Sequence, residues 1–352
     1  MTNQTVFTAQ SEVMQTSLAK INPKKERQYL LADSTLPEIL FITSYPPREC
    51  GIATYSQDLL KALDNKFRDS FSLKVCALES GKSNYAYPDE VKYVLDTHQS
   101  SKYVELKDAI NNDKQIKLVL IQHEFGLYEQ KGEVNFLQFL YSISQPIALV
   151  FHTVLPKPDT ALKVKVRHIV AVCASIIVMT KDSAKILTDD YGISPDNIVV
   201  IEHGTHLVPH LNKETLKEKY GLAGRKVLST FGLISSGKSI ETTLNALPAI
   251  IENNPDILFL VIGKTHSGVV ESEGERYRDM LEEKVAELQL HQHIKFINRY
   301  LPLHDLLAFL QLNQCRLIAS DDELFDVVLQ IAQGELEKPE IAVLLERWLQ
   351  TI

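Results

Sequence analysis

The residues best suited to chemistry stand at the ends of short apolar runs. One run closes with Gln122-His123-Glu124-Phe125-Gly126, and the next with Phe151-His152-Thr153. An imidazole titrates near neutral pH and both donates and accepts hydrogen bonds, so histidines placed this way are candidate acid–base or orienting groups. A lone histidine is more often structural, but two at neighbouring strand ends would share one crevice. His152 is the candidate for contact with the reacting group. His123 and Glu124 are candidates for the side on which a second reactant arrives. Glu202-His203-Gly204-Thr205-His206 follows a further run and either lines the same crevice or shapes a connection.

Other stretches suit anions. After the first run comes Ser44-Tyr45-Pro46-Pro47-Arg48-Glu49-Cys50-Gly51, opening a helix. Gly51 at a helix start lets backbone N–H groups approach an anion closely. The alternative is a proline-rich turn that uses glycine for geometry alone, and spacing leaves both open. Gly232-Leu233-Ile234-Ser235-Ser236-Gly237-Lys238-Ser239 satisfies the phosphate-loop pattern G-x-x-x-x-G-K-[ST] between a strand and a helix. Lys238 and the helix N-terminus are then expected on phosphate oxygens. A phosphate-loop NTPase also needs a strand ending in Asp to hold magnesium. The following strands end instead in Gly263-Lys264 and Asn298-Arg299.

The elements that must position these loops form two series. Apolar runs at 39–43, 71–78, 117–122, 146–151, 175–180 and 197–201 alternate with helical patterns at 52–63, 132–143, 160–173 and 181–191. Continuous rather than alternating apolar strands imply burial on both faces of a parallel sheet. A polar stretch, 202–220, reads as a connection. A second series follows, with strands at 226–231, 257–262 and 294–297 and helices at 238–251, 273–290 and 303–310. A short run at 315–319 adds a strand signal, and two amphipathic helices are expected at 321–333 and 339–349. The expected organisation is a flexible tail over 1–36, Rossmann-like domains over 37–218 and 219–319, and a helical segment over 320–352.

Bulk properties bound the function. The 352 residues suffice for two cores, and 45% hydrophobic against 23% charged residues is a globular balance. A formal charge of −8 gives no support to binding along a phosphate backbone, so no nucleic-acid partner is expected. Cys50, Cys76, Cys173 and Cys315 form no C-x-x-C pair, and no metal site is expected. Wide cysteine spacing and a polar N-terminal stretch point to a soluble, cytoplasmic enzyme, with peripheral membrane contact and oligomeric state left open.

With these loops in place the sequence resembles the retaining glycosyltransferases of GT-B fold known as glycosyltransferase family 4. The resemblance rests on the stretch Thr43 to Tyr55, on Gln122 to Gly126, Phe151 to Thr153, Ile201 to Thr205, Phe231 to Lys238, and Phe296-Ile297-Asn298-Arg299-Tyr300, in the family's order over roughly 37–312. It implies two Rossmann-like domains with the active site in the cleft and metal-independent transfer of a hexose with retention. The co-substrate would be a UDP-, GDP- or ADP-sugar, with no covalently bound cofactor, and the acceptor a carbohydrate or lipid-linked carbohydrate. By the same resemblance Gly51, Gly232, Gly237 and Lys238 hold the donor diphosphate and His152 meets the transferred sugar. Arg48, Glu49, His123, Glu124, His203 and Gly204 fall on the acceptor or cleft side.

This chain departs from the family's pattern. Leu233 stands where the family commonly has Arg, leaving Lys264 and Arg299 as candidate replacement cations, and Ser239 replaces the usual Gly. No helix bearing two glutamates with seven residues between them follows Leu310. Glu275 and Glu283 have that spacing but come too early, on a helix whose solvated face explains them. A degenerate, non-catalytic GT-B module for binding or scaffolding is therefore the second reading, and an NTPase the third.

Overall fold

The computed structural model describes residues 36–313 apart from 69, 82–84, 129–132, 207 and 210, and in addition the short strands Cys315–Leu317 and Leu349–Thr351. The tail expected over 1–36 lies outside these residues but for its last position, as do the helices expected at 321–333 and 339–349 but for Leu349. The chain forms two compact units that divide between Thr205 and His206.

The first unit runs β1 (Glu38–Thr43), α1 (Gly51–Phe67), β2 (Ser72–Glu79), β3 (Val91–Asp96), α2 (Ser100–Asn112) and β4 (Ile116–His123). It continues with α3 (Glu133–Ser142), β5 (Ile147–Phe151), α4 (Thr160–Ala171), β6 (Ser175–Val178), α5 (Lys181–Asp189) and β7 (Ile198–Val200). Its seven strands are parallel, in the order β3-β2-β1-β4-β5-β6-β7. The order reverses between β1 and β4, and at such a switch point the loops part to leave a crevice.

Central strands show why the run is continuous. All five residues of β5 are buried. In β1, Leu40 and Ile42 join a cluster with Leu78, Ile121, Tyr103 and Phe136. Phe41 points the other way, to Val75, Ala77 and Leu60 of α1. Burying each such side chain contributes about 1.5–3 kcal/mol. Helix starts are capped locally: Asp159 accepts from Leu162 N at 2.7 Å, and Thr180 from Ser183 N at 3.0 Å.

The strand Val91–Asp96 and the helix Ser100–Asn112 escape the sequence reading. β3 is the edge strand, and only Leu95 in it is fully buried, so no continuous apolar run marks it.

The second unit begins with α6 (Lys213–Tyr220), then β8 (Lys226–Phe231), α7 (Ile240–Asn253), β9 (Ile257–Ile262), α8 (Ser267–Glu273), α9 (Arg276–Glu287), β10 (Ile294–Ile297) and α10 (Leu303–Gln311). Its parallel sheet has the order β10-β9-β8. α6 lies within the stretch read as connection, yet Leu216 packs with Val227 and Leu258 in this unit's core. The single helix expected over 273–290 is two, broken at Gly274, whose φ is +69°. All six residues of β9 are buried, serving one core through Phe259 and Val261 and another through Leu258 and Leu260. Cys315–Leu317 (β11) is a strand as the apolar run suggests, but it pairs antiparallel with Leu349–Thr351 (β12) and not with the parallel sheet. Among the described residues no helix is long and apolar enough to cross a membrane.

Candidate functional site

In the first unit the register of β4 against β5 sets His123 beside Phe151, and His152 N donates to His123 O at 3.0 Å. The side chains of the two histidines meet different surroundings. His152 is half-buried, its Nε2 lies 2.7 Å from Gln122 Oε1, and its ring meets Tyr55 edge-on with centroids 5.0 Å apart. Burial, and then the neighbouring His203, push its pKa down to about 4. The imidazole is therefore neutral at physiological pH and acts there as a hydrogen-bonding group.

His123 is only 1% exposed. It is ringed by Phe125, Tyr128, Phe136 and Phe151 at centroid distances of 5.0–5.8 Å. Burial drives its pKa down to about 3. The expectation that His123 lines the crevice is corrected by this: alternation along β4 turns its side chain into the core. Glu124 is engaged locally, taking a 2.6 Å hydrogen bond from Thr153 Oγ1 and one of 2.9 Å from Phe125 N.

His203 is exposed, and its Nδ1 lies 2.7 Å from the Gly204 carbonyl, which can only accept, so Nδ1 carries the proton. Its ring lies 5.1 Å from Tyr55, which thereby stands next to both His152 and His203. Tyr55 and Gln122 are site residues the sequence reading gave no role. A signal for Tyr55 exists: it follows Gly51 by one helical turn on α1 and so faces the same end of the sheet.

The loop after β1 carries Arg48, whose Nη1 donates to Leu78 O at 3.2 Å, followed by Glu49 and Cys50. Cys50 caps α1, its Sγ accepting from Ala53 N at 3.3 Å. Gly51 is the first helical residue and is exposed; a Cβ there would meet nothing within 4 Å. No described protein atom requires glycine at this point.

In the second unit the loop after β8 passes through Ser236–Lys238, a single 3₁₀ turn, into α7 by way of Ser239 in the left-handed region. Gly232 has φ +111°, and a Cβ on it would lie 3.3 Å from Lys238 Nζ, so the ammonium stands over Gly232. Gly263 has φ +136°, and a Cβ on it would lie 2.0 Å from Gly232 O. Glycine is obligatory there on both counts. Gly237 is open, with only Ser235 Oγ at 3.9 Å from its would-be Cβ. Lys264 is half-buried, and Arg299 is exposed at the end of β10.

Glu275 is exposed at the start of α9, as its reading on a solvated face expects, and its carboxylate also accepts from Thr265 Oγ1 and lies 3.3 Å from Nε of Arg278, a residue only 6% exposed. Among the described residues no three metal-capable side chains gather.

Two parallel-sheet α/β units, the first in doubly wound order, define the GT-B fold class. No family model and no curated protein matches the chain. Solved structures do. HepE of Anabaena, crystallised with UDP and glucose, matches at TM-score 0.55 with 15% identity, over 78% of this chain and 72% of that one. A glycosyltransferase of Rickettsia africae matches at 0.54 with 14% identity, over 80% and 72%. A UDP-forming trehalose-phosphate synthase of Burkholderia xenovorans, in complex with glucose-6-phosphate, matches at 0.51 with 12% identity, over 79% and 78%. At such identities the likeness is one of fold.

Proposed function

We propose that this protein transfers a hexose from a nucleotide diphosphate sugar to a carbohydrate acceptor, with retention and without a metal. The observation that carries the reading is the loop Gly232–Ser239, where Lys238 stands over a glycine floor at a helix start. Such an arrangement suits a diphosphate leaving group: the ammonium and the N–H groups stabilise charge that grows as the glycosidic bond breaks through an oxocarbenium-like state. Gly237 would supply a close backbone approach, and Lys264 and Arg299 further positive charge. In the first unit His152 would orient the sugar by hydrogen bonding, Gly51 would admit an anion to the start of α1, and Arg48, Glu49, His203 and Gly204 would serve the acceptor side. The acceptor role expected over 37–218 would fall to the first unit, up to Thr205, and the donor role to the second, from His206, to which α6 belongs. Two of the named structural neighbours, one crystallised with UDP and glucose and one with glucose-6-phosphate, support a ligand of this chemical kind.

Two other readings are tested by the same experiment. The pairing of β11 with β12, away from the parallel sheet, favours a non-catalytic GT-B module that binds without turnover. The phosphate-loop pattern allows an NTPase, but the neighbouring strand β9 is followed by Gly263, which presents no carboxylate to a magnesium shell. Purified protein is incubated with UDP-, GDP- and ADP-sugars and nucleotide release is followed, with titration calorimetry in parallel. Turnover with one donor is expected, falling about 10²–10³-fold in Lys238→Ala, as when a preorganised charge-stabilising donor is lost. Binding without turnover selects the module. Magnesium-dependent ATP hydrolysis abolished by Lys238→Ala selects the NTPase.

A further inference from the structure

We propose that Arg278 is a positioning residue for the phosphate loop: from α9 it holds the carbonyl of Gly263, and through Gly263 it sets where Gly232 and Lys238 stand. The inference rests on the diphosphate reading of Gly232–Ser239 and adds to it a residue that itself touches no ligand.

A guanidinium stays charged, and burying one carries a large desolvation penalty unless its donors are satisfied. Here they are. Nη2 donates to Gly263 O at 3.1 Å, and Nε is shared between Thr265 Oγ1 and Glu275 Oε2, each at 3.3 Å. Nη1 donates to Asn298 Oδ1. Thr265, itself 2% exposed, donates its own hydroxyl hydrogen bond to Glu275. The planar fork thus spans the ends of β9 and β10 at once, a task a single ammonium cannot perform.

From Gly263 the contact continues in the backbone. Its empty Cβ position abuts Gly232 O, and Gly232 N donates to Ile262 O at 3.0 Å. Ile234 N donates to Lys264 O and His266 N to Ile234 O, each at 2.9 Å. Ile234 and Thr265 form a parallel bridge between the two loops. The loop after β8 is therefore built upon the loop after β9, and that loop is anchored by Arg278. A residue that merely tied α9 to the sheet would need neither the Gly263 carbonyl nor this second set of bonds.

The test uses the full chain with Arg278→Lys and Arg278→Met, followed by peptide-resolved amide hydrogen exchange and by calorimetric titration with UDP, GDP and ADP. Exchange is expected to rise in 263–266 and also in 232–238 while 257–262 keeps its protection. Affinity for the nucleotide that binds the unaltered protein is expected to fall about tenfold or more, as when an orienting partner is lost. A rise confined to 263–266 and 298–300, or a uniform rise across the unit, overturns the proposal, as does undiminished nucleotide affinity. If the unaltered protein binds none of the three nucleotides, the diphosphate reading falls, and the exchange pattern still decides whether Arg278 sets the loop. Should Arg278→Met not fold, Arg278→Lys and Asn298→Ala carry the test, and unchanged exchange in 232–238 in both overturns it.

Discussion

His152 at the end of β5 is held by side chains, Gln122 on one flank and Tyr55 on the other. Lys238 beyond β8 stands over backbone instead, with Gly232 beneath it and Gly263 beneath Gly232. The two units thus solve one problem, a polar group fixed at a strand end, by opposite means. Side chains can be aimed in a broad, seven-stranded sheet whose aromatic core walls them in. In the three-stranded sheet the loops are zipped to one another by backbone bonds, and glycine is the residue that permits the approach. The lesson is that glycine carries different weight in the two places. Gly263 is dictated by the protein itself, whereas nothing described in the protein dictates Gly51.

Substitution at these glycines breaks the comparison most directly. Gly263→Ala places a methyl 2.0 Å from Gly232 O at a φ of +136°, so backbone must move. The expected cost is about 3 kcal/mol or more, from overpacking together with backbone strain. Denaturant unfolding should show it in the second unit's transition while the first unit's stays in place. A variant as stable as the parent would mean that the two loops are not built on one another.

The next effect sharpens the other half of the comparison, the side-chain walls of the first unit. His123 has its pKa lowered from the ordinary 6.5 to about 3, so between those values the unfolded chain binds a proton that the folded chain refuses. Stability is thus full above pH 6.5 and is lost as pH falls towards 3, on the order of a few kcal/mol in all. His123→Leu should reduce the slope of unfolding free energy against pH in that window, leaving between 6.5 and about 4 the share that His152 contributes. An unchanged slope would place the effect on another group.

The smallest effect separates ligand from protein. Gly51→Ala adds a methyl to open space at a helix start and should leave stability equal or raise it by about 0.4–1 kcal/mol, by reducing the freedom of the unfolded chain. If an anion approaches there, turnover with the competent nucleotide sugar falls about tenfold even so, because close approach of the backbone is lost. Equal turnover would leave Gly51 as a turn residue only.

Much of this architecture was legible in the amino-acid sequence. Continuous apolar runs such as Ile147–Phe151 and Ile257–Ile262 announce strands buried on both faces, because only a doubly covered parallel sheet hides every side chain. The histidines, Gly51 and the Gly232–Ser239 loop were legible as strand-end residues for the same reason, since loops follow runs. The edge strand Val91–Asp96 was not, because half-exposed positions leave no run to read.

Tertiary structure alone decided which of these groups meets solvent. His123 and His152 look alike in sequence, each closing an apolar run, yet a single step of alternation and the aromatic rings around β4 bury one and leave the other half-open. Arg278 looks like any surface cation on a charged helix until packing brings it to the ends of β9 and β10. Local pattern reports what a residue prefers. Which neighbours it finds depends on strands and helices distant in sequence, and those neighbours set burial, charge state and role.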